Sequence, residues 1–419
     1  NLKRLKDITI TCRDKIKIPD EVKKLIETKS QYINLNNVYS AKELEAELSD
    51  LIKFEIEDNY IFEDSNILDY IKLVDISKNN FSDYNDTKEL TEKITISRNL
   101  KELHIASANL KEFPKWLFDL PNIEKLSINC DSLEKLPEEI GNLTNLQELD
   151  IHCENLEELP SEIGNLANLK IFSLGKYSFN ENSNLKIIPK EIGKLISLKE
   201  LDINLSNLKE LPKEIGDLIN LEKLYIYCDN LEELPKEIGD LVNLERLEIY
   251  CDSLEELPNE IGNLINLNSF RIYCDKLKEL PEEIGNLFKM EYFSLHSEVL
   301  KELPKSIGNL TKLCSLGLDC FNLEKLPKEI ENLKRIEGID IRSDKLKEFP
   351  KEILSMSRLD SIDLHGDEIK EIPKEVINLK KLEKLDMQYC HNLKKTPKRI
   401  GHLIRESKIK CWWNKKYLF

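Results

Sequence analysis

The chain is poor in most of what catalysis and membrane insertion require. Of its 419 residues only six are histidine and three each are tryptophan and methionine, and aromatic residues make up 7%. It has no GxxxxGK[ST] phosphate loop, no HExxH, no GxSxG and no glycine-rich dinucleotide fingerprint, so the common nucleotide, zinc-protease and serine-hydrolase chemistries lack their usual residues. The six histidines are scattered along the chain, and nine of the thirteen glycines recur in one "IG" dipeptide, so neither residue type singles out a reaction centre. No run of about 18 apolar residues is present, so a membrane span is not expected. Positive charge is also in deficit. With 62 Lys and Arg against 78 Asp and Glu the formal charge is −16, which argues against wholesale binding to a phosphate backbone. The expectation is therefore a chain that is not an enzyme, takes no cofactor and does not bind nucleic acid.

What is abundant is repetition. Thirteen prolines, from Pro114 and Pro137 through Pro235 to Pro373 and Pro397, are separated by 23 residues in ten of twelve intervals and by 29 and 24 in the other two. The unit reads LxxLxIxCDxLxxLPxEIGxLxx. Within it "LEKLYIY" (221–227) alternates apolar and polar, which predicts a short strand with Leu224 and Ile226 inward and Lys223, Tyr225 and Tyr227 outward. "PKEIGDLVNL" then places Ile238, Leu241 and Leu244 at helical spacing, with Pro235 in the first turn and Gly239 closing it in a conformation that other residues resist. One such unit cannot bury its own apolar side, so the units must stack. The predicted fold class is an α/β solenoid: a curved arc with a parallel β-sheet on the concave face and short helices on the convex face. Counting strand centres from Ile10 to Met387 gives about 17 coils, or roughly 80 Å at about 4.8 Å per strand.

These residues resemble the leucine-rich repeat family, and the 23-residue "LPKEIGNLxNLxxL" wording is similar to its Ras-group subclass of plant intracellular, animal scaffold and bacterial proteins. The resemblance spans nearly the whole chain. It implies a scaffold that recognises other macromolecules, usually through its concave strand face, and it implies no chemistry. One column departs from the family, in which the ninth unit position is commonly Asn. Here Asn59 and Asn79 keep it, but Asp131, Glu154, Asp229, Asp252, Asp275, Glu298, Asp344 and Asp367 do not. Stacked ionised carboxylates are costly in a dry interior, so these side chains are expected to turn toward water or to accept backbone N–H groups.

Three divisions are read along the chain. Residues 1–99 carry irregular repeats, with Cys12 and Pro19 in register. Residues 100–397 carry regular repeats, interrupted by a six-residue insertion near 175–184, and a comparable excess lies within 82–95. Residues 398–419 form a C-terminal cap in which Ile404, Trp412, Trp413 and Leu418 cover the last coil, although the interleaved basic and aromatic residues also suit a membrane-surface or nucleic-acid patch. Because the chain opens on Asn1 in mid-repeat, its natural start is expected upstream, and a missing leader says nothing about secretion.

Eight of the ten cysteines share one slot with Ser107, Ser297, Ser343 and Gly366: Cys12, Cys130, Cys153, Cys228, Cys251, Cys274, Cys320 and Cys390. A column that admits Cys, Ser or Gly reads as a small-residue packing slot. No C-x-x-C spacing suggests a metal. So many unpaired thiols favour a reducing, cytoplasmic compartment.

The outward strand positions define a candidate binding face: Lys223, Tyr225 and Tyr227; Arg246 and Tyr250 with Glu248; Arg271 and Tyr273 with Ser269; Tyr292 and His296 with Ser294. Tyr and Arg are the types enriched at interface hot spots, while tyrosine also favours exposed strands for cross-strand stacking alone. The following coils offer an acidic stripe of Asp319, Asp340, Asp363 and Asp386 over small residues. It suits a Lys/Arg-rich peptide or a cation such as Ca²⁺, or is solvated surface partly neutralised by Arg342 and His365. The resulting expectation is a monomeric, non-enzymatic protein- or peptide-binding scaffold. Two alternatives stay open: a ligand-sensing module of a larger signalling protein whose effector domain lies upstream, and a secreted or surface bacterial protein that binds host molecules.

Overall fold

The computed structural model describes residues 101–106, 113, 118, 120, 122–175, 184–387, 389–394 and 397, and the backbone of strand segments at 8–11, 33–36, 54–57, 73–78 and 410–412. The chain forms two compact units, Asn1–Asn207 and Leu208–Phe419. Cys12, Pro19, Asn59, Asn79, the 82–95 excess, insertion residues 176–183, and the side chains of Ile404, Trp412, Trp413 and Leu418 lie outside the described residues.

Unit 1 contains β1 (Ile8–Thr11), β2 (Ile33–Asn36), β3 (Phe54–Glu57), β4 (Leu73–Lys78), β5 (Glu102–Ala106), β6 (Lys125–Asn129), β7 (Glu148–Ile151), β8 (Ile171–Leu174) and β9 (Glu200–Asn204). Each pairs in parallel with the next. Unit 2 contains β10 (Lys223–Tyr227), β11 (Arg246–Tyr250), β12 (Ser269–Tyr273), β13 (Tyr292–Ser297), β14 (Ser315–Cys320), β15 (Gly338–Arg342), β16 (Ser361–His365), β17 (Lys384–Asp386) and β18 (Lys410–Trp412), again paired successively in parallel. Both units are thus open parallel sheets built one coil at a time, as the 23-residue period predicts. β18 shows that the C-terminal segment continues the ladder by one strand.

The period-2 pattern becomes a lattice because equivalent positions meet. Leu224 lies opposite Leu247, Leu247 opposite Phe270, and Phe270 opposite Phe293. In one coil Leu221, Leu224, Ile226, Cys228, Leu231, Ile238, Leu241 and Leu244 are all 0% exposed. Sealing a leucine or isoleucine of this kind stabilises by about 1.5–3 kcal/mol, and that contribution exists only while the neighbouring coils are in place.

The segments opposite the strands are five-residue 3₁₀ turns rather than α-helices, such as Lys236–Asp240. Ile238 N–H donates to Pro235 O at 3.0 Å, and Leu241 N–H to Ile238 O at 3.3 Å. Apolar spacing at i, i+3 and i+6 fits either helix type, and a segment this short closes as the tighter one. Pro235 stands one residue earlier than expected, as an extended cap with φ −63° and ψ 140°. The expectation for Gly239 is overturned. Positive φ among the described glycines occurs at Gly175 alone (φ 89°). Glycine is needed at 239 because a Cβ there would collide with the backbone carbonyl of Glu260 in the next coil. The slot sets the approach of neighbouring turns, not the bend of one turn.

The small-residue slot behaves as read. Cys130, Cys228, Cys251, Cys274 and Cys320 are 0% exposed, as are Ser297 and Ser343. Burial pushes the thiols of Cys274, Cys320 and Cys390 up to about 12, so they stay protonated and unreactive at neutral pH. Where serine fills the slot it also forms hydrogen bonds. Ser297 Oγ donates to Leu277 O at 2.8 Å and accepts Leu300 N–H at 3.1 Å.

Candidate functional site

All the candidate residues lie in unit 2, and register places them in three outward columns. The first holds Lys223, Arg246, Ser269 and Tyr292; the second Tyr225, Glu248, Arg271 and Ser294; the third Tyr227, Tyr250, Tyr273 and His296. Lys223 and Arg246 are exposed at one margin. Tyr292 stands 55% exposed in the same column, apart from the other rings.

The third column is one continuous stack. Ring centroids are 4.8 Å apart for Tyr227–Tyr250, 5.7 Å for Tyr250–Tyr273 and 3.8 Å for Tyr273–His296, and all three pairs lie within 20° of parallel. Phe321 closes the end, its ring edge-on to His296 at 5.7 Å. Each such pair contributes about 0.5–1.5 kcal/mol beyond area burial, so the row is rigid without a partner. In the second column Glu248 is only 8% exposed. Arg271 Nη1 donates to it at 3.2 Å, and Tyr227 Oη at 3.5 Å.

At the far end His296 is 7% exposed. Its Nε2 lies 3.1 Å from Asp275 Oδ1, and its Nδ1 lies 3.0 Å from Asp319 Oδ2. Burial works against the charged imidazole, but the hydrogen bonds and charges of Asp319 and Asp275 outweigh it and the His296 pKa is raised. Burial likewise works to raise Asp319, yet His296 and Arg342 hold it below the usual carboxylate range.

Beyond this point the acidic side chains separate. Asp340, Asp363 and Asp386 are register neighbours in the second column, whereas Asp319 belongs to the third, followed by Arg342 and His365. Asp363 is flanked by His365 Nε2 at 2.9 Å and Lys384 Nζ at 3.1 Å. Burial and the charge of Asp363 raise the Asp340 pKa. Much of the stripe is therefore neutralised internally. Among the described residues no group of three or more His, Cys, Asp or Glu side chains is placed to hold a metal ion.

The ninth-position carboxylates face water. Asp229, Asp252, Glu298, Asp344 and Asp367 are exposed, and Asp131, Glu154 and Asp275 are half-buried. The pKa of Asp252 is raised by burial and by Asp275 and Asp229. Side-chain amide bonds between neighbouring coils come from turn positions instead. Asn155 Nδ2 donates to Asp131 O at 2.8 Å, and Asn243 and Asn266 donate to Ile219 O and Val242 O at 2.8 and 2.7 Å. Phe321, which seals the stack, and Asp275, which bonds its last ring, were not among the expected site residues. Phe321 had one signal, as a phenylalanine in a column made mostly of carboxylates.

Two family models match the chain. One, described as a leucine-rich repeat region, covers residues 131–202, 169–278 and 259–344; the other, R13L1/DRL21 LRRs, covers 47–153. Among solved structures the chain is similar to the LRR protein LIC12759 of Leptospira interrogans, with 28% identity and a TM-score of 0.64 over 89% of this chain and 98% of that one. It shares its fold with the internalin inlF of Listeria monocytogenes, with 16% identity and a TM-score of 0.56 over 76% of this chain and 87% of that one. It also shares its fold with the Toll–Spätzle complex of Drosophila, with 17% identity and a TM-score of 0.60 over 92% of this chain and 58% of that one. No curated protein gives a match. Among the described residues no helix is long and apolar enough to cross a membrane.

Proposed function

The chain belongs to the leucine-rich repeat family, and from that premise we propose that it is a non-enzymatic scaffold that recognises a protein or peptide on the strand face of unit 2, between Tyr225 and His296. The observation that carries this reading is the stack from Tyr227 to His296, continued by Phe321. Rigid aromatic rows with a polar edge provide contact area at little entropic cost. Tyr273, 42% exposed, remains accessible on the stack, and Tyr292, 55% exposed, stands on the same face outside it. A solenoid of this fold engages a protein in the Toll–Spätzle complex. Protein is favoured over nucleic acid because the net charge is −16.

The same reading places the scaffold in the Ras-group-like subclass as a monomer in the cytoplasm. It keeps the divisions at 1–99, 100–397 and 398–419, and it assigns Asp319, Asp340, Asp363 and Asp386 a secondary contact role. The test is a random peptide library selected on the intact chain. Peptides so obtained are expected to bind Tyr227→Ala/Tyr250→Ala at least about tenfold more weakly, a loss of about 1.4 kcal/mol, while thermal unfolding stays cooperative. Unchanged affinity in a folded variant removes the ladder as the binding surface.

A further inference from the structure

His296 sits where the aromatic row meets the acidic coils, and its hydrogen bonds specify its charge. Both ring nitrogens lie at hydrogen-bond distance from carboxylate oxygens, Asp275 on one side and Asp319 on the other. An ionised carboxylate only accepts, and a neutral imidazole carries a single N–H. The neutral ring would therefore turn a nitrogen lone pair toward an oxygen about 3 Å away, and only the imidazolium satisfies both contacts. His365, three coils further along the same column, supplies an internal contrast. Its Nδ1 accepts from Arg342 Nε at 3.1 Å, so that nitrogen carries no proton, while its Nε2 lies 2.9 Å from Asp363 Oδ1, an oxygen that receives no hydrogen bond.

The surroundings of His296 add to the effect. Tyr273 on β12 covers one ring face at 3.8 Å, with the planes 4° apart. Asp252 and Asp275 follow β11 and β12, Asp319 lies on β14, and Glu298 follows His296 itself. Against these, Arg342 on β15 reaches Asp319 at 3.5 Å, and His365 stands beyond it on β16. Carboxylates outnumber cations around the ring, so the proton on His296 holds the arrangement together.

We propose that His296 is a charged clasp: an imidazolium bonded to Asp275 and Asp319 locks the last rung of the aromatic stack, and loss of its proton unlocks that rung, so that partner binding on this face weakens as pH rises. The second half rests on the binding role proposed above; the clasp itself does not. A preordered row binds with less ordering cost than a loosened one, which sets the direction.

The clasp is tested without any partner, by ¹⁵N NMR of the imidazoles in the full chain across pH. The signal missing from His296→Gln identifies the residue among the six histidines. If that variant does not fold, the signal displaced in Asp319→Asn identifies it instead. Both nitrogens of His296 are expected to be protonated below a midpoint that lies above the ordinary value of about 6.5. Asp275→Asn and Asp319→Asn are each expected to weaken proton binding about tenfold, and the Tyr273 ring resonances to move with the wild-type midpoint. A midpoint at or below the ordinary value, or one that neither variant lowers, overturns the clasp. Peptides selected on the wild-type chain are then measured on both sides of that midpoint. Affinity that is flat across it while His296 titrates overturns the regulatory half alone, and failure to select any peptide counts against the binding role and leaves the clasp standing.

Discussion

Strands β10–β13 and β14–β17 share one inward lattice and differ in most of what faces out. Leu247 and Leu316 occupy the same inward position and are 0% and 1% exposed. Outward, the first four strands carry stacked rings and a sunken Glu248–Arg271 pair. The next four carry Ser315, Gly317, Gly338 and Ser361, with carboxylates held by Arg342, His365 and Lys384. The turns differ as well. Gly239, Gly262, Gly285 and Gly308 leave no room for a side chain in the first set, whereas Glu331, Leu354 and Ile377 fill the same slot in the second. The comparison teaches that the stacked core and the outward face vary independently here. The core repeats, the face varies, and the turn slot decides how closely coils approach.

The largest expected effect tests the shared core. Leu247→Ala and Leu316→Ala should each destabilise the chain by about 2–5 kcal/mol in denaturant unfolding, with similar costs because both leave a cavity in the same lattice. A large difference between the two would mean that the halves do not share one core. Next in size is the turn slot. Gly285→Leu puts a Cβ 2.6 Å from Ser306 O and should cost about 1–3 kcal/mol. Glu331→Leu, the same new residue in the second half, should fall within about 0.5 kcal/mol. Equal costs would show that the slot is uniform after all. The smallest effect is the pH dependence of stability. The folded-state pKa of His296 is raised, so its contribution is fully present below the unfolded value of about 6.5. It declines as pH rises through the folded value. A pH series comparing wild type with His296→Gln should therefore show the two melting temperatures converging as pH rises, and a gap that widens instead would reverse the sign.

Most of the fold was legible in the sequence, because the proline spacing and the Leu224/Ile226 alternation are local patterns that stacking merely multiplies. Register followed from the same period, and with it the alignment of Tyr227, Tyr250 and Tyr273. The misread features depend on what lies one coil away. Gly239 looks like a bend when its own turn is considered alone, and only Glu260 of the next coil shows the collision. The i, i+3, i+6 spacing of Ile238, Leu241 and Leu244 does not distinguish two helix types. The bonds of His296 join positions 21 and 23 residues distant, one in a strand and one just after a strand. Glu248 reads as an exposed acid until Arg271 and Tyr227 close over it.

The constant 23-residue spacing between register partners from β10 to β17 makes the coil, rather than the residue, the natural unit of change there. Excising residues 236–258 would leave Pro235 followed by "NEIG" and bring Tyr227 beside Tyr273, so the proposed recognition surface would lose one rung and keep its order. Because side chains alternate along a strand, a one-residue slip in the pairing would instead turn them onto the wrong face. A molecule built this way can lengthen or shorten its outer face in whole steps, and a departure such as the 29-residue step from Ile171 to Glu200 leaves the strand pairing intact.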